Sequence, residues 1–136
     1  MEDGLFVART SRMNVIRAYI QTKMGDSALC LADVAAYAQI STSYVRKLFA
    51  AEGLKFSAYV LETRLEMVAR ALTDPVRRPD PISGIASTCG FNDVSYFNRA
   101  FRKRYGCTPS EWRSRHRMPD GKRMRDKPDA VLPEQQ

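Results

Sequence analysis

Along residues 94–105 the apolar positions fall at spacings of three and four: Phe97, Ala100, Phe101 and Tyr105 share one helical face, while Ser95, Asn98, Arg99, Arg102 and Lys103 lie off it. Asn92 or Asp93 stands where an N-cap is expected, and Gly106 where a left-handed glycine ends a helix. The same pattern occurs earlier in the chain. There Ser41 can cap a helix running from Thr42 to about Glu52, with Val45, Leu48 and Phe49 inward, Thr42, Ser43, Arg46 and Lys47 outward, and Gly53 as its stop. Ser43-Tyr44-Val45-Arg46-Lys47-Leu48-Phe49 and Ser95-Tyr96-Phe97-Asn98-Arg99-Ala100-Phe101 follow one template, 52 residues apart.

Each copy follows a short apolar helix pattern, Leu31, Val34, Ala35 and Ala38 in the first and Ile82, Ile85, Ala86 and Cys89 in the second. Brief turns join them, at Gln39-Ile40-Ser41 and at Gly90-Phe91-Asn92, the second being one residue longer. A short helix, a tight turn and a second helix with polar residues outside form a helix-turn-helix. One such pattern arises easily in any small helical domain. Two in register, with basic residues at matching places, do not.

The flanking segments complete the organisation. Met13, Val15, Ile16, Tyr19, Ile20 and Met24 make an apolar stripe ended by Gly25, and this helix should pack across the back of the first unit. Phe56 to Leu72 is the longest helical pattern, closed by Asp74-Pro75. At ~1.5 Å per residue it spans ~26 Å, against ~34 Å between successive major grooves on one face of B-DNA. Residues 76–80 read as a loop, with Asp80-Pro81 as N-cap and first helical residue of the next helix. Thr108-Pro109-Ser110-Glu111 reads as a capping box, and Trp112 should bury against the second unit. Two places look locally weak. Cys30 occupies a cap position that a thiol fills poorly, and Gln39 sits where a turn needing positive φ would be strained.

The expected fold is all-α with about seven helices, as two helix-turn-helix subdomains joined by a long linker helix. The division is an N-terminal lead over 1–10, a first subdomain over 11–53, the linker over 54–74, a second subdomain over 75–117 and a disordered tail over 118–136. The tail assignment rests on Pro119, Gly121, Pro128 and Pro133 among mixed charges.

Charge sharpens the functional reading. The formal net charge is +7, of which residues 92–117 carry +5, with seven basic side chains against Asp93 and Glu111. Positive charge concentrated beside an exposed polar helix suits a polyanion. A hydrophobic content of 44% supports a folded core. No apolar run nears the ~18 residues of a membrane span, and Met1-Glu2-Asp3-Gly4 lacks the basic flank of a secretion signal. A cytoplasmic location is expected. Cys30, Cys89, Cys107 and the single histidine, His116, have no metal-ligand spacing, so the cysteines read as buried or semi-buried thiols. No phosphate-binding or dinucleotide motif occurs. No catalytic site and no cofactor are expected.

The second copy resembles the signature of the AraC/XylS family of bacterial transcription regulators. The resemblance rests on Gly90-Phe91, Asp93, Ser95-Tyr96-Phe97, Arg99-Ala100-Phe101, Tyr105-Gly106, Pro109 and Trp112-Arg113. The first copy matches in Leu31-Ala32, Val34-Ala35, Ser41, Ser43-Tyr44-Val45, Leu48-Phe49, Glu52-Gly53 and Phe56, and together they cover residues 11–116. The resemblance implies a sequence-specific regulator that inserts two helices into successive major grooves of double-stranded DNA at promoters. It implies base contacts from Thr42, Ser43, Arg46 and Lys47 in the first helix and from Val94, Ser95, Tyr96, Asn98 and Arg99 in the second. Arg102, Lys103, Arg104 and Arg113 are expected on phosphates. Tyr44 and Tyr96 read equally well as groove-facing or packed. RNA polymerase is a second expected partner; a membrane is not one, and no small-molecule effector site is expected within the chain. Most relatives carry a separate N-terminal sensing domain, for which the residues before the first helix are far too few, so a stand-alone regulator and a fragment both remain open. The competing reading is a basic helical module that binds an acidic protein.

Overall fold

The computed structural model describes residues 2–77 and 79–116, with side chains from Ala8 onward. The tail expected over 118–136 lies outside the described residues. Among these residues the chain is all-α, with seven helices and one 3-10 turn. The helices are α1 (Glu2–Lys23), α2 (Leu31–Ala38), α3 (Thr42–Ala51), α4 (Phe56–Leu72), α5 (Ile82–Thr88), α6 (Val94–Tyr105) and α7 (Pro109–Arg115), with the 3-10 turn at Pro75–Arg77.

Two apolar cores organise these helices. The first holds Met13, Ile16, Ile20 and Met24 of α1 and its C-terminal end, Val34 and Ala35 of α2, Val45, Leu48 and Phe49 of α3, and Val60 of α4. The second holds Leu65, Val68, Ala69 and Leu72 of α4, Ile85 and Ala86 of α5, Phe91, and Phe97 and Phe101 of α6. Burying such side chains contributes about 1.5–3 kcal/mol each, which fixes each helix by its apolar stripe. Helix α4 therefore serves both lobes, its first turns closing one core and its later turns opening the other.

The repeat extends further than the turn motif. Met13, Ile16 and Ile20 recur as Leu65, Val68 and Leu72 at the same offset of 52 that relates Val45 and Phe49 to Phe97 and Phe101, and all ten are buried. Val34 and Ala35 recur as Ile85 and Ala86 at an offset of 51. The loop before α5 is thus one residue shorter than its counterpart, and Asn92 in the following turn restores the register. Ring packing repeats as well. Phe49 meets Phe56 and Tyr59 of the next helix, and Phe101 meets Tyr105 and Trp112.

Three local expectations change. Residues 2–10 of the segment read as a lead over 1–10 belong to α1, which begins at Glu2. Val15 leaves the α1 stripe and is 49% exposed, because Met13, Ile16 and Ile20 already span the buried face. Asp80 does not cap α5. Pro81 is the N-cap residue, with φ −67° and ψ 146°, and the Asp80 carboxylate instead accepts from Arg77 Nε at 2.9 Å. At Cys30 the thiol makes no cap hydrogen bond, and the Asp33 carboxylate reaches back to the Cys30 N–H at 3.2 Å. Gln39 ends α2 at φ 59° and ψ 43°, in the left-handed region.

Candidate nucleic-acid interface

Both reading helices start from a side-chain cap. Ser41 Oγ accepts from the Tyr44 N–H at 3.0 Å at the head of α3, and Asp93 Oδ1 accepts from the Tyr96 N–H at 3.0 Å at the head of α6. Each cap satisfies one of the four free N–H groups of a helix start and contributes about 1 kcal/mol. Both turns that precede them close α2 and α5 with the same bonds. Gln39 N–H donates to Ala36 O at 3.2 Å and Ile40 N–H to Ala35 O at 3.0 Å, while Gly90 N–H donates to Ser87 O at 3.1 Å and Phe91 N–H to Ala86 O at 3.0 Å. This pairing carries the chain out of one helix on a left-handed residue and into the next.

On α3, Val45, Leu48 and Phe49 are buried, which turns Ser43, Arg46 and Lys47 outward and leaves Thr42 half-buried. On α6, Phe97 and Phe101 are buried, and Val94, Ser95, Tyr96, Asn98 and Arg99 are all exposed. The residues named for base contact on each helix thus lie along that helix's outer side. Val94 and Tyr96 are 50% and 44% exposed, a large apolar and aromatic surface for a helix start. The two tyrosines separate. Tyr96 projects, whereas Tyr44 is half-buried with the Arg12 guanidinium 5.4 Å from its ring centre.

The four basic residues named for phosphate contact also divide. Arg102 and Lys103 are exposed on the last turn of α6, where positive charge also suits the helix dipole. Arg104 turns back onto α4: its Nε donates to Glu62 Oε2 at 2.6 Å, its guanidinium lies 4.6 Å from the Tyr105 ring centre, and the bond to Glu62 raises its pKa further. Arg113 donates from Nη1 to the Asp80 carbonyl at 2.8 Å, tying α7 to the loop before α5. Trp112 Nε1 donates to Ala69 O at 3.1 Å and anchors α7 on α4.

Cys89 and Cys107 are buried and Cys30 is exposed, against the expectation that all three would be shielded. Burial pushes the Cys89 thiol pKa up. His116 stacks on Trp112 with ring centres 4.0 Å apart. Among the described residues no helix is long and apolar enough to cross a membrane, and no three of His, Cys, Asp and Glu gather into a metal-binding set.

A helix-turn-helix domain model matches residues 34–115. The chain is 40% identical over 103 residues to the transcriptional activator RhrA of Rhizobium meliloti, covering 76% of this chain and 32% of that protein. It is 33% identical over 108 residues to the transcriptional activator NphR of a Rhodococcus, covering 79% and 31%. The chain therefore spans about a third of the length of these relatives. The C-terminal domain of AraT, a response regulator from Geobacillus stearothermophilus, superposes with a TM-score of 0.73 at 28% identity, covering 80% of this chain and 88% of that one. The C-terminal domain of the response regulator yesN from Fusobacterium nucleatum gives 0.68 at 28% identity, covering 74% and 96%. The chain belongs to the AraC-type family of helix-turn-helix domains.

Proposed function

We propose that this chain is the sequence-specific DNA-reading unit of a transcription regulator, and that α3 and α6 enter successive major grooves of one duplex. The observation that carries this reading is the duplication itself: two capped helices, each buried on its aromatic side and polar on the other, seated on cores that share α4. Side-chain chemistry fits groove readout. Arg46 and Arg99 suit a bidentate contact to guanine, Asn98 to adenine, and Val94 a thymine methyl. Ser43, Lys47, Ser95 and Tyr96 flank these, with Thr42 at the edge. Arg102 and Lys103 suit phosphates, whereas Arg104 and Arg113 serve chiefly to hold α6 and α7 in place.

The relatives named as transcriptional activators support an activating role; RNA polymerase as a further partner and the cytoplasm as the place of action are parts of the same proposal. Selection of bound sites from random duplex DNA tests the reading. A bipartite consensus with its halves about one helical turn apart supports it. Binding that tracks charge alone, abolished by random-sequence competitor, refutes it in favour of a basic interaction module.

A further inference from the structure

Gln39 and Gly90 hold the same place in the two turns, and both are left-handed, at φ 59° and φ 99°. At φ 99° Gly90 lies beyond the narrow left-handed region that Gln39 occupies, so its backbone already favours glycine. The surroundings add a second requirement. A Cβ on Gly90 would collide with the Met24 carbonyl oxygen and lie 2.5 Å from Arg64 Nε and 3.0 Å from its Cζ. A Cβ on Gly25 would lie 2.7 Å from the Thr88 carbonyl oxygen. The chain leaving α1 and the turn entering α6 thus meet backbone to backbone, one from each lobe.

Arg64, from the middle of α4, closes this contact. Its Nε donates to Met24 O at 3.1 Å and its Nη2 to Asp26 O at 2.7 Å. Burial lowers its pKa, and the Asp26 charge partly offsets that effect. Beside it a cleft of about 230 Å³ runs between the lobes, bordered by Leu29 on one side and Phe91 and Tyr96 on the other. Tyr96 belongs to the outer face of α6. Any shift of the lobes about Arg64 therefore moves the head of a reading helix directly.

We propose that Arg64, with Gly25 and Gly90, is an interlobe seat that sets the separation of α3 and α6. Arg64 is thus a positioning residue that determines which half-site spacing the protein accepts, without touching DNA. This rests on the two-groove reading given above. A helix alone joins the lobes at one line of attachment, about which each can rock on its apolar contacts. A second attachment off that line removes the freedom. Two linked binding units gain most from their coupling when their geometry matches the target, and a stiff coupling makes the match sharp.

The test uses the 136-residue chain and a fluorescent duplex selected by it from random DNA. Companion duplexes have one or two base pairs added or removed between the halves, and a further duplex carries a single half-site. Arg64→Met keeps the side-chain stem but removes both hydrogen bonds. Gly25→Ala keeps the guanidinium and wedges the lobes apart, and it stands in if Arg64→Met does not fold. Circular dichroism confirms folding. The wild type should lose about tenfold or more in affinity per base pair of mis-spacing. The folded variants should bind the selected duplex about five- to tenfold more weakly, with the mis-spacing penalty falling below about threefold and single half-site affinity within about twofold of wild type. A folded Arg64→Met or stand-in Gly25→Ala chain that keeps the sharp wild-type profile overturns the seat. A flat profile in the wild type itself overturns the two-groove reading instead, and the seat with it.

Discussion

Replacing Gln39 by glycine should stabilise the protein, and the size of the effect follows from the turn. Gln39 sits at φ 59° and ψ 43° with its side chain exposed. A side chain in this left-handed conformation costs roughly 1–2 kcal/mol relative to the right-handed one. Glycine removes that strain but gives back about 0.4–1 kcal/mol through its greater freedom in the unfolded chain. The N–H groups of residues 39 and 40 keep their bonds to Ala36 O and Ala35 O in either case. The net gain should be about 0.5–1 kcal/mol, or a rise in Tm of about 2–5 °C. Urea unfolding followed by circular dichroism measures it, with the slope unchanged and the midpoint raised. Gly90→Ala provides the opposite control, because there the added carbon meets Met24 and Arg64 as well as a positive φ. It should destabilise by more than about 2 kcal/mol. A Gln39→Gly midpoint at or below that of the wild type would refute the account of strain at this turn.

Arg46→Ala should weaken binding to the selected site by about 1–3 kcal/mol and relax the preference at one base pair, as read by affinities for single-base variants of the site. An unchanged preference would remove α3 from the reading face. Lys103→Ala should weaken all duplexes alike and reduce the slope of log K against log salt by about 0.9. An effect confined to one sequence would contradict a phosphate role. Glu111 accepts from the Thr108 N–H at 2.9 Å, and this bond together with the Thr108 hydroxyl holds its pKa below the usual carboxylate value. A depressed carboxylate contributes stability that is present above its unfolded pKa and is lost as pH falls through the folded one. Glu111→Gln should therefore flatten part of the loss in stability below about pH 4.3, and an identical acid limb in wild type and variant would exclude the effect. A coloured thiol reagent should titrate one fast thiol, Cys30, in the native chain and all three in denaturant, since Cys89 and Cys107 are buried. Three fast native thiols would show that the second core opens readily.

What could be read from the residues was mostly local. Ser41, Asp93 and Thr108 announce their helices because a cap acts within three residues of itself, and the structure gives all three the expected bond. The helix bounds of α4 and the outer faces of α3 and α6 followed from apolar spacing, because each helix has one buried side. Partners distant in the chain were not legible. Nothing near Arg104 or Arg113 in sequence reveals Glu62 or the Asp80 carbonyl, which lie 42 and 33 residues away. Asp80 misled for a different reason: its partner is close in sequence, and Arg77, three residues before it, claims the carboxylate that a capping rule assigns to the helix. The early start of α1 was missed because its first turns precede the stripe that packs on the core, although Glu2 and Asp3 are residues that favour a helix beginning. Arg64 gave no signal at all. Its role exists only once the ends of α1 and α5 are brought together.

The double use of α4 means that the copies overlap instead of standing in line. Beads on a string each own a first and a last piece, so the thread between them can be cut. Here the closing rod of one copy is the opening rod of the next, with Val60 committed to one interior and Leu65 to the other. A break anywhere within that rod strips a wall from both interiors, and neither half is left with a complete set of walls.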